Sequence, residues 1–274
     1  MSKRLLVFGG NGFLGKRICQ EAVNKGFQVT ALSRSGSPPI LTSMEDKLWI
    51  SETKWVSCNV FDPSTYSHLL VDKPHVVHSL GILLENENYK KNVRGSPNIR
   101  ALFTSSSLFQ LPNPLLKKDS KFSYEWMNKR SAMILADAYN SISNKNTKNG
   151  SVLPSFTYIS ADTKFPLIPE GYIHSKREAE EYLLNKKNQF RSIILRPGFM
   201  FDEIKGSTDT RSFIQTGIDV LNCGNKLLLN NKLDCINQIT RPTISTQQVA
   251  KNAITKIQDN DFKGVVYLDE LIKI

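Results

Sequence analysis

Short apolar stretches punctuate the chain: RLLVFG from residue 4, QVTALS from 28, TKWVSCNV from 53, HVVHSLG from 75, SFTYISA from 155 and SIILRPG from 192. Each is rich in Val, Ile and Leu, suited to a strand covered on both faces and too short for a core helix. Between most of them the apolar positions change to helical spacing, as at Leu14, Ile18 and Ala22. This alternation predicts an α/β fold, a Rossmann-like doubly wound parallel sheet with helices on both faces. Helices are expected over 13–25, ended by Gly26, over about 63–70 behind Asp62 as N-cap, over 122–140 and over 175–187.

Two stretches interrupt the rhythm. Residues 85–121 contain Pro97, Pro112 and Pro114 and keep no sustained period, which marks a functional or mobile loop. Residues 141–152 have the composition of a flexible polar insertion. After Pro197 the alternation fades, and 199–240 is expected to form a small C-terminal lobe for substrate or partner, with a helix near 210–222 closing a cleft. The chain is otherwise expected to be one NAD(P)-binding domain over 1–274.

The first apolar stretch runs directly into GGNGFLGK, which places Gly9, Gly12 and Gly15 at every third position between a strand and a helix. Gly9 suits a tight turn, Gly12 a close approach of backbone to a pyrophosphate, and Gly15 close helix packing. Asn11, Phe13 and Leu14 share the corner, and the helix start offers unpaired N–H groups to phosphate. Strand two ends in TALSRSGS, with no acidic residue to accept from a ribose 2′-hydroxyl and with Arg34 in reach of a 2′-phosphate. NADP(H) is therefore favoured, with NAD(H) the alternative and a solvated loop cation the plain reading of Arg34.

Tyr172 and Lys176 form an i,i+4 pair in YIHSK, and Ser160 ends the strand FTYIS twelve residues before the tyrosine. A tyrosine with an ordinary pKa of about 10 shuttles protons poorly at neutral pH, and a nearby ammonium stabilises its phenolate. YxxxK alone is also common surface decoration, and Asn128 on the preceding helix is also an ordinary polar position.

The glycine spacing and the Ser, Tyr, Lys order resemble the extended and atypical short-chain dehydrogenase/reductases. That resemblance implies that Ser160 orients a substrate carbonyl, Tyr172 is the acid/base, Lys176 binds the nicotinamide ribose, and Asn128 supports a water relay. It places Asn59 and Val60 at the adenine, Ser79, Leu80 and Gly81 beside the nicotinamide ribose, Pro197 and Gly198 against the nicotinamide, and Arg241 towards the cleft. FGGNGFLGKRICQEAV, VVHSLGILLENENYK, YISAD and RPGFMFDE further resemble a fungal mitochondrial coenzyme Q biosynthesis family, related to the NADPH-binding accessory subunit of respiratory complex I. The implied setting is the matrix side of the inner mitochondrial membrane, in peripheral association with it. The implied partners are the ubiquinone-synthesis complex and a START-type ubiquinone-binding protein. The implied substrate is a prenylated quinone-ring intermediate. Two functions follow: an NAD(P)(H)-dependent oxidoreductase, or a non-catalytic subunit stabilised by its nucleotide. An isomerase or dehydratase is a third.

Composition narrows this only slightly. The net charge of +11 is dispersed and shows no basic-aromatic block, so nucleic acid is not expected and a basic surface is. No apolar run approaches the ~18 residues of a membrane span. The first strand starts too early for a cleaved signal peptide. Cys19, Cys58, Cys223 and Cys235 form no CxxC pair, and His68, His75, His78 and His174 have no metal spacing, so no metal is expected.

Overall fold

The computed structural model describes residues 3–40, 44–72, 74–83, 122–143, 153–162, 170–186, 189–203 and 241–273. In chain order these form β1 (Arg4–Phe8), α1 (Gly15–Asn24), β2 (Gln28–Ser33), α2 (Met44–Glu52), β3 (Lys54–Ser57) and β4 (His75–His78). A π-helical turn (Glu125–Arg130) runs into α3 (Ser131–Ser143), followed by β5 (Ser155–Ile159), α4 (Glu170–Leu184) and β6 (Arg191–Leu195). The described chain closes with β7 (Met200–Phe201), β8 (Ile244–Ser245), α5 (Thr246–Gln258), β9 (Gly264–Val266) and α6 (Leu268–Leu271).

Among the described residues the main sheet is 7-stranded in the order β3-β2-β1-β4-β5-β6-β9, with every pairing parallel. The winding direction reverses between β1 and β4, which opens a crevice at the carboxyl ends of those strands. Alternate strand residues serve opposite faces. Leu5, Val7, Val77, Ile193 and Leu195 pack with Ile18 and Ala22 of α1 and with Val249, Ala253 and Ile257 of α5. Leu6, Phe8, Val76, Phe156 and Ile194 pack with Leu135 and Tyr139 of α3 and with Ala179 and Leu183 of α4.

All six apolar stretches are strands, and helix α1 ends as its sequence requires. Gly26 has φ 75°, and its N–H reaches Val23 O at 2.8 Å while that of Phe27 reaches Ala22 O at 3.0 Å. This double return satisfies the last carbonyls of α1. The other helices differ from expectation. The segment expected as a helix over 63–70 is two short 3-10 turns, Pro63–Thr65 and Ser67–Leu69, the first capped by Asp62 accepting from Ser64 N. Pro63 and the Asp62 side chain favour a tight turn, and the segment is too short to build further. Helix α4 starts at Glu170 and stops at Leu184, rather than spanning 175–187. Helix α3 absorbs the first residues assigned to the 141–152 insertion.

The alternation that fades after Pro197 resumes after Arg241 as β8, α5 and β9, with Ser245 and Gln248 forming a capping box at the start of α5. β7 and β8 pair in parallel, so the chain leaves and returns side by side. Residues 85–121, save none, and the expected helix near 210–222 lie outside the described residues, as does most of 199–240.

Arg191 fixes the far end of α5. Its guanidinium donates to the carbonyls of Leu153 (3.0 Å), Ile257 (3.1 Å), Asp259 (2.6 Å) and Phe262 (2.9 Å). A buried cation against a helix C-terminus answers both the orphan carbonyls and the dipole. Arg191→Ala is expected to lower unfolding free energy by about 2–4 kcal/mol, measured by urea denaturation. Arg191→Lys should recover only part of this, because one ammonium cannot span carbonyls arranged for a fork.

Candidate functional site

The crevice between β1 and β4 begins at the glycine corner. Gly9 has φ 85°, a conformation glycine adopts without strain. A Cβ on Gly15 would lie 2.1 Å from Gly9 O, so α1 can start this close to the strand only with glycine there. Gly12 donates its N–H to Gly9 O at 2.9 Å, and a Cβ on it would crowd the same oxygen. The N-cap of α1 is Leu14, buried in the core, with no side-chain cap and no acidic residue in the first turn. A helix start presented in this way, behind a bend built on closely packed glycines, fits a dinucleotide pyrophosphate.

Asn11 spans from the corner to the loop after β2, its amide donating to Ser35 Oγ at 3.1 Å and Ser37 O at 3.3 Å. Phe13 is half-buried beside it and Arg34 is exposed on that loop. Ser57 Oγ donates to Arg34 O at 2.9 Å, and Gly36 N to Ser33 Oγ at 3.1 Å. The turn thus offers a guanidinium and hydroxyls, and no carboxylate, where a 2′-phosphate would lie. Asn59 is exposed at the end of β3, and its Oδ1 accepts from Phe61 N at 3.1 Å. Val60 is buried, with its carbonyl accepting from Tyr66 Oη at 3.1 Å. On the other side of the corner, Ser79 donates its N–H to Phe8 O at 2.9 Å. Ser79 O and the Leu80 side chain lie against Gly9.

Gly81 joins this half to the second. A Cβ there would stand 3.1 Å from Asn128 Oδ1 and 3.2 Å from Lys176 Nζ, so its bare backbone lets both groups pack against it. Asn128 lies in the π-helical turn, a distortion common at functional sites, and its amide clasps Ile82, accepting from N at 2.9 Å and donating to O at 3.2 Å. Its main-chain carbonyl accepts from Tyr158 Oη at 2.6 Å. Lys176 is buried and donates to Ile159 O at 2.8 Å. Burial pulls its pKa down to about 7, with Glu180 opposing the fall. Tyr172 is half-buried, with its ring against Tyr124 in an edge contact at 5.9 Å.

Ser160 is buried at the end of β5, and its Oγ accepts from Arg177 at 3.2 Å. Arg177 also donates to Ala161 O and Asp162 O and is held by Glu180, whose other oxygen binds Arg196. Pro197 O accepts from Asp162 N at 2.9 Å. Gly198 is required by Pro242 O and Leu268, which its Cβ would meet at 2.9 and 3.0 Å. Arg241 pairs with Asp162.

Sequence reasoning passed over three features. His78, expected merely to flank its strand, is fully buried within β4 with Nε2 2.9 Å from Ser131 Oγ. That hydroxyl donates to Met127 O at 2.8 Å, so it accepts from His78, whose proton sits on Nε2 and whose ring is neutral. Burial, then the nearby Lys176, lowers the His78 pKa to about 3. The second feature is Arg177, the residue next to Lys176. The third is a buried ionic cluster in which Asp202 pairs with Lys16 at 2.9 Å and Arg17 at 3.0 Å, and accepts from Gln247 at 2.6 Å. Burial would raise the Asp202 carboxyl, yet these hydrogen bonds outweigh it and hold it below the usual range. Only an aspartate following RPGFMF hinted at it. Among the described residues no acidic, histidine or cysteine group gathers as a metal site, and no helix is long and apolar enough to cross a membrane.

Residues 5–101 match the model of the NAD dependent epimerase/dehydratase family. The chain is 52% identical over 276 aligned residues, covering all of both proteins, to the MIOREX complex component 2 of Saccharomyces cerevisiae. It is 26% identical over 274 residues to an uncharacterized chloroplastic protein of Arabidopsis thaliana, spanning 98% of this chain and 76% of that one. Among solved structures, an ElxO variant with NADPH bound has a TM-score of 0.59 at 13% identity, with all of both chains covered. WbmH of Bordetella bronchiseptica in complex with NAD+ has a TM-score of 0.53 at 11% identity, over 96% of this chain and 74% of that one. These two show the fold alone. By full-length identity, the chain belongs to the family of the yeast MIOREX complex component 2, on a Rossmann-like fold.

Proposed function

We propose that the chain is an NAD(P)(H)-dependent oxidoreductase of the atypical short-chain type, preferring NADP(H), and acting on a prenylated quinone-ring intermediate of ubiquinone synthesis. The observation that carries this reading is the meeting of Lys176 and Asn128 across Gly81 from the glycine corner. A structural nucleotide would need the corner, but not a buried amine packed against Gly81 beside it. The setting inferred is a matrix-side complex at the inner mitochondrial membrane. Its support is the full-length likeness to a protein named as a complex component.

Gly9, Gly12, Gly15 and the start of α1 would hold the pyrophosphate, Arg34 a 2′-phosphate, and Lys176 the nicotinamide ribose. A nicotinamide held there would supply hydride chemistry at the substrate carbon. Ser160 accepts from Arg177, which leaves its own proton to donate to a substrate carbonyl oxygen. Tyr172 gives its phenolic proton to that oxygen during reduction and takes it back in the reverse direction. Tyr124 and Ile82 pack beside Tyr172 and limit water.

A second reading is a non-catalytic assembly subunit whose bound nucleotide stabilises a docking surface. It is favoured by the tie of Ser160 to Arg177 and by the yeast relative's description as a complex component. The two separate in cells lacking the endogenous protein. The oxidoreductase reading expects Tyr172→Phe to lower ubiquinone formation by about 100-fold or more, with released nucleotide still detected by mass after denaturation. Restoration of ubiquinone by Tyr172→Phe, but not by the corner variant Gly15→Ala, selects the assembly subunit instead.

Two pH dependences follow from Lys176. Its ammonium favours the ribose, so NADPH affinity measured by calorimetry should fall as pH rises through about 7, and the step should vanish in Lys176→Met. The folded pKa lies below the ordinary 10.5, so the unfolded chain binds more protons between the two values and this group makes stability rise with pH there. Lys176→Met should therefore melt higher than the parent at pH 6, and the gap should narrow from about 7 towards 10.5.

A further inference from the structure

Lys176 rests on a floor to which the reaction described above gives no role. Its Nζ lies over the Tyr158 ring, 4.8 Å from the centroid. The Tyr158 hydroxyl donates to Asn128 O at 2.6 Å, which fixes the ring beneath the amine. The neutral imidazole of His78 leans on the same ring, with centroids 5.4 Å apart. Ser131 holds that imidazole in place.

The groups acting on the amine come from every packed element. β4 supplies neutral His78, β5 supplies Tyr158, the π-helical turn supplies Asn128 and α4 supplies Glu180, while Tyr172 and Arg177 of α4 act on Tyr158. Burial, then Tyr172 and Glu180, push the Tyr158 phenol well above its usual range, so it stays uncharged. Glu180 is held by Arg177 and Arg196, and among the described residues no carboxylate forms an ion pair with Lys176. A buried ammonium is costly unless something answers its charge. Here that falls to the Ile159 carbonyl and an aromatic face, whose negative quadrupole attracts a cation.

We propose that Tyr158 is a positioning residue for Lys176, its ring face seating the ammonium and its hydroxyl anchoring that ring to the Asn128 turn. This rests on the assignment of Lys176 to the nicotinamide ribose. Tyr158 then acts through Lys176, holding the amine charged and aimed past Gly81, and touches neither nucleotide nor substrate itself.

The test uses the full chain without nucleotide, labelled with carbon-13 in its lysines, the Lys176 ε-methylene being the resonance lost in Lys176→Met. In the parent its protons should be displaced by the ring current and should titrate at about 7. Tyr158→Phe keeps the ring but loses its anchor, so it should keep most of the displacement and titrate between the parent and Tyr158→Leu. Tyr158→Leu keeps an apolar floor without a π face, and should lose the displacement and lower the midpoint by about one pH unit, a tenfold change in protonation constant. Should Tyr158→Leu not fold, the ring displacement in the parent and its retention in Tyr158→Phe decide the matter. An undisplaced parent resonance, a Leu variant that titrates like the parent, or a Phe variant that shifts as far as Leu overturns the proposal. Failure of the parent to bind added NADPH or NADH would instead overturn the oxidoreductase reading, since the resonance is followed without nucleotide.

Discussion

The carbonyl oxygen of Gly9 stands 2.1 Å from where residue 15 would carry a Cβ, and the rest of the crevice depends on that closeness. It lets α1 begin directly against the end of β1. Leu14 can then cap the helix with its side chain in the core instead of on the backbone, leaving the helix start to face an anion. The corner is braced on both flanks, by Asn11 reaching Ser35 and Ser37 beyond β2 and by Ser79 and Leu80 beyond β4. A larger residue at position 15 would displace the helix from the strand, and both flanks would lose their register with it.

The opposite half of the site follows a different rule, in which charge is buried and answered mostly by neutral groups. Lys176 sits among a carbonyl, an amide and an aromatic face, and the adjacent His78 is kept uncharged by burial. One element further on the rule reverses, and Glu180, Arg177, Arg196, Asp162 and Arg241 pair among themselves around the ends of β5 and β6. The polar contrast has a consequence for chemistry. The amine has a free energy of protonation near balance, whereas the paired arginines and carboxylates are committed to holding the Ser160 loop.

The Asp202 cluster ties the start of α1 to the end of β7 and the start of α5. Lys16 and Arg17 lie in the first turn of α1, while Asp202 follows β7 and Gln247 opens α5. Segments remote in sequence are therefore locked to the same helix that carries the glycine corner. Removing Asp202 would take the carboxylate from Lys16 and leave Arg17 with Asp46 alone.

Much of this was legible from local pattern. The six apolar stretches fixed the strands because a buried parallel strand needs a continuous apolar run, and the glycine spacing located the corner because only glycine tolerates its φ and its crowding. The Ser160, Tyr172 and Lys176 spacing singled out residues at the end of β5 and on α4, where Ser160 is tied to Arg177 and Lys176 to Ile159 O. Local pattern failed where a residue's role is set by what faces it across space. Helix α2 buries Asp46 and Trp49 and exposes Met44 and Leu48, an inverted arrangement that makes sense only once Arg17 arrives from α1 to pair with Asp46. Likewise the neutrality of His78, the tie between Arg177 and Ser160, and the seat of Lys176 on Tyr158 depend on partners between 17 and 53 positions away. Periodicity determines which residues turn inward, but burial and the approach of distant groups determine their charge, because desolvation and pairing exist only after the elements have packed.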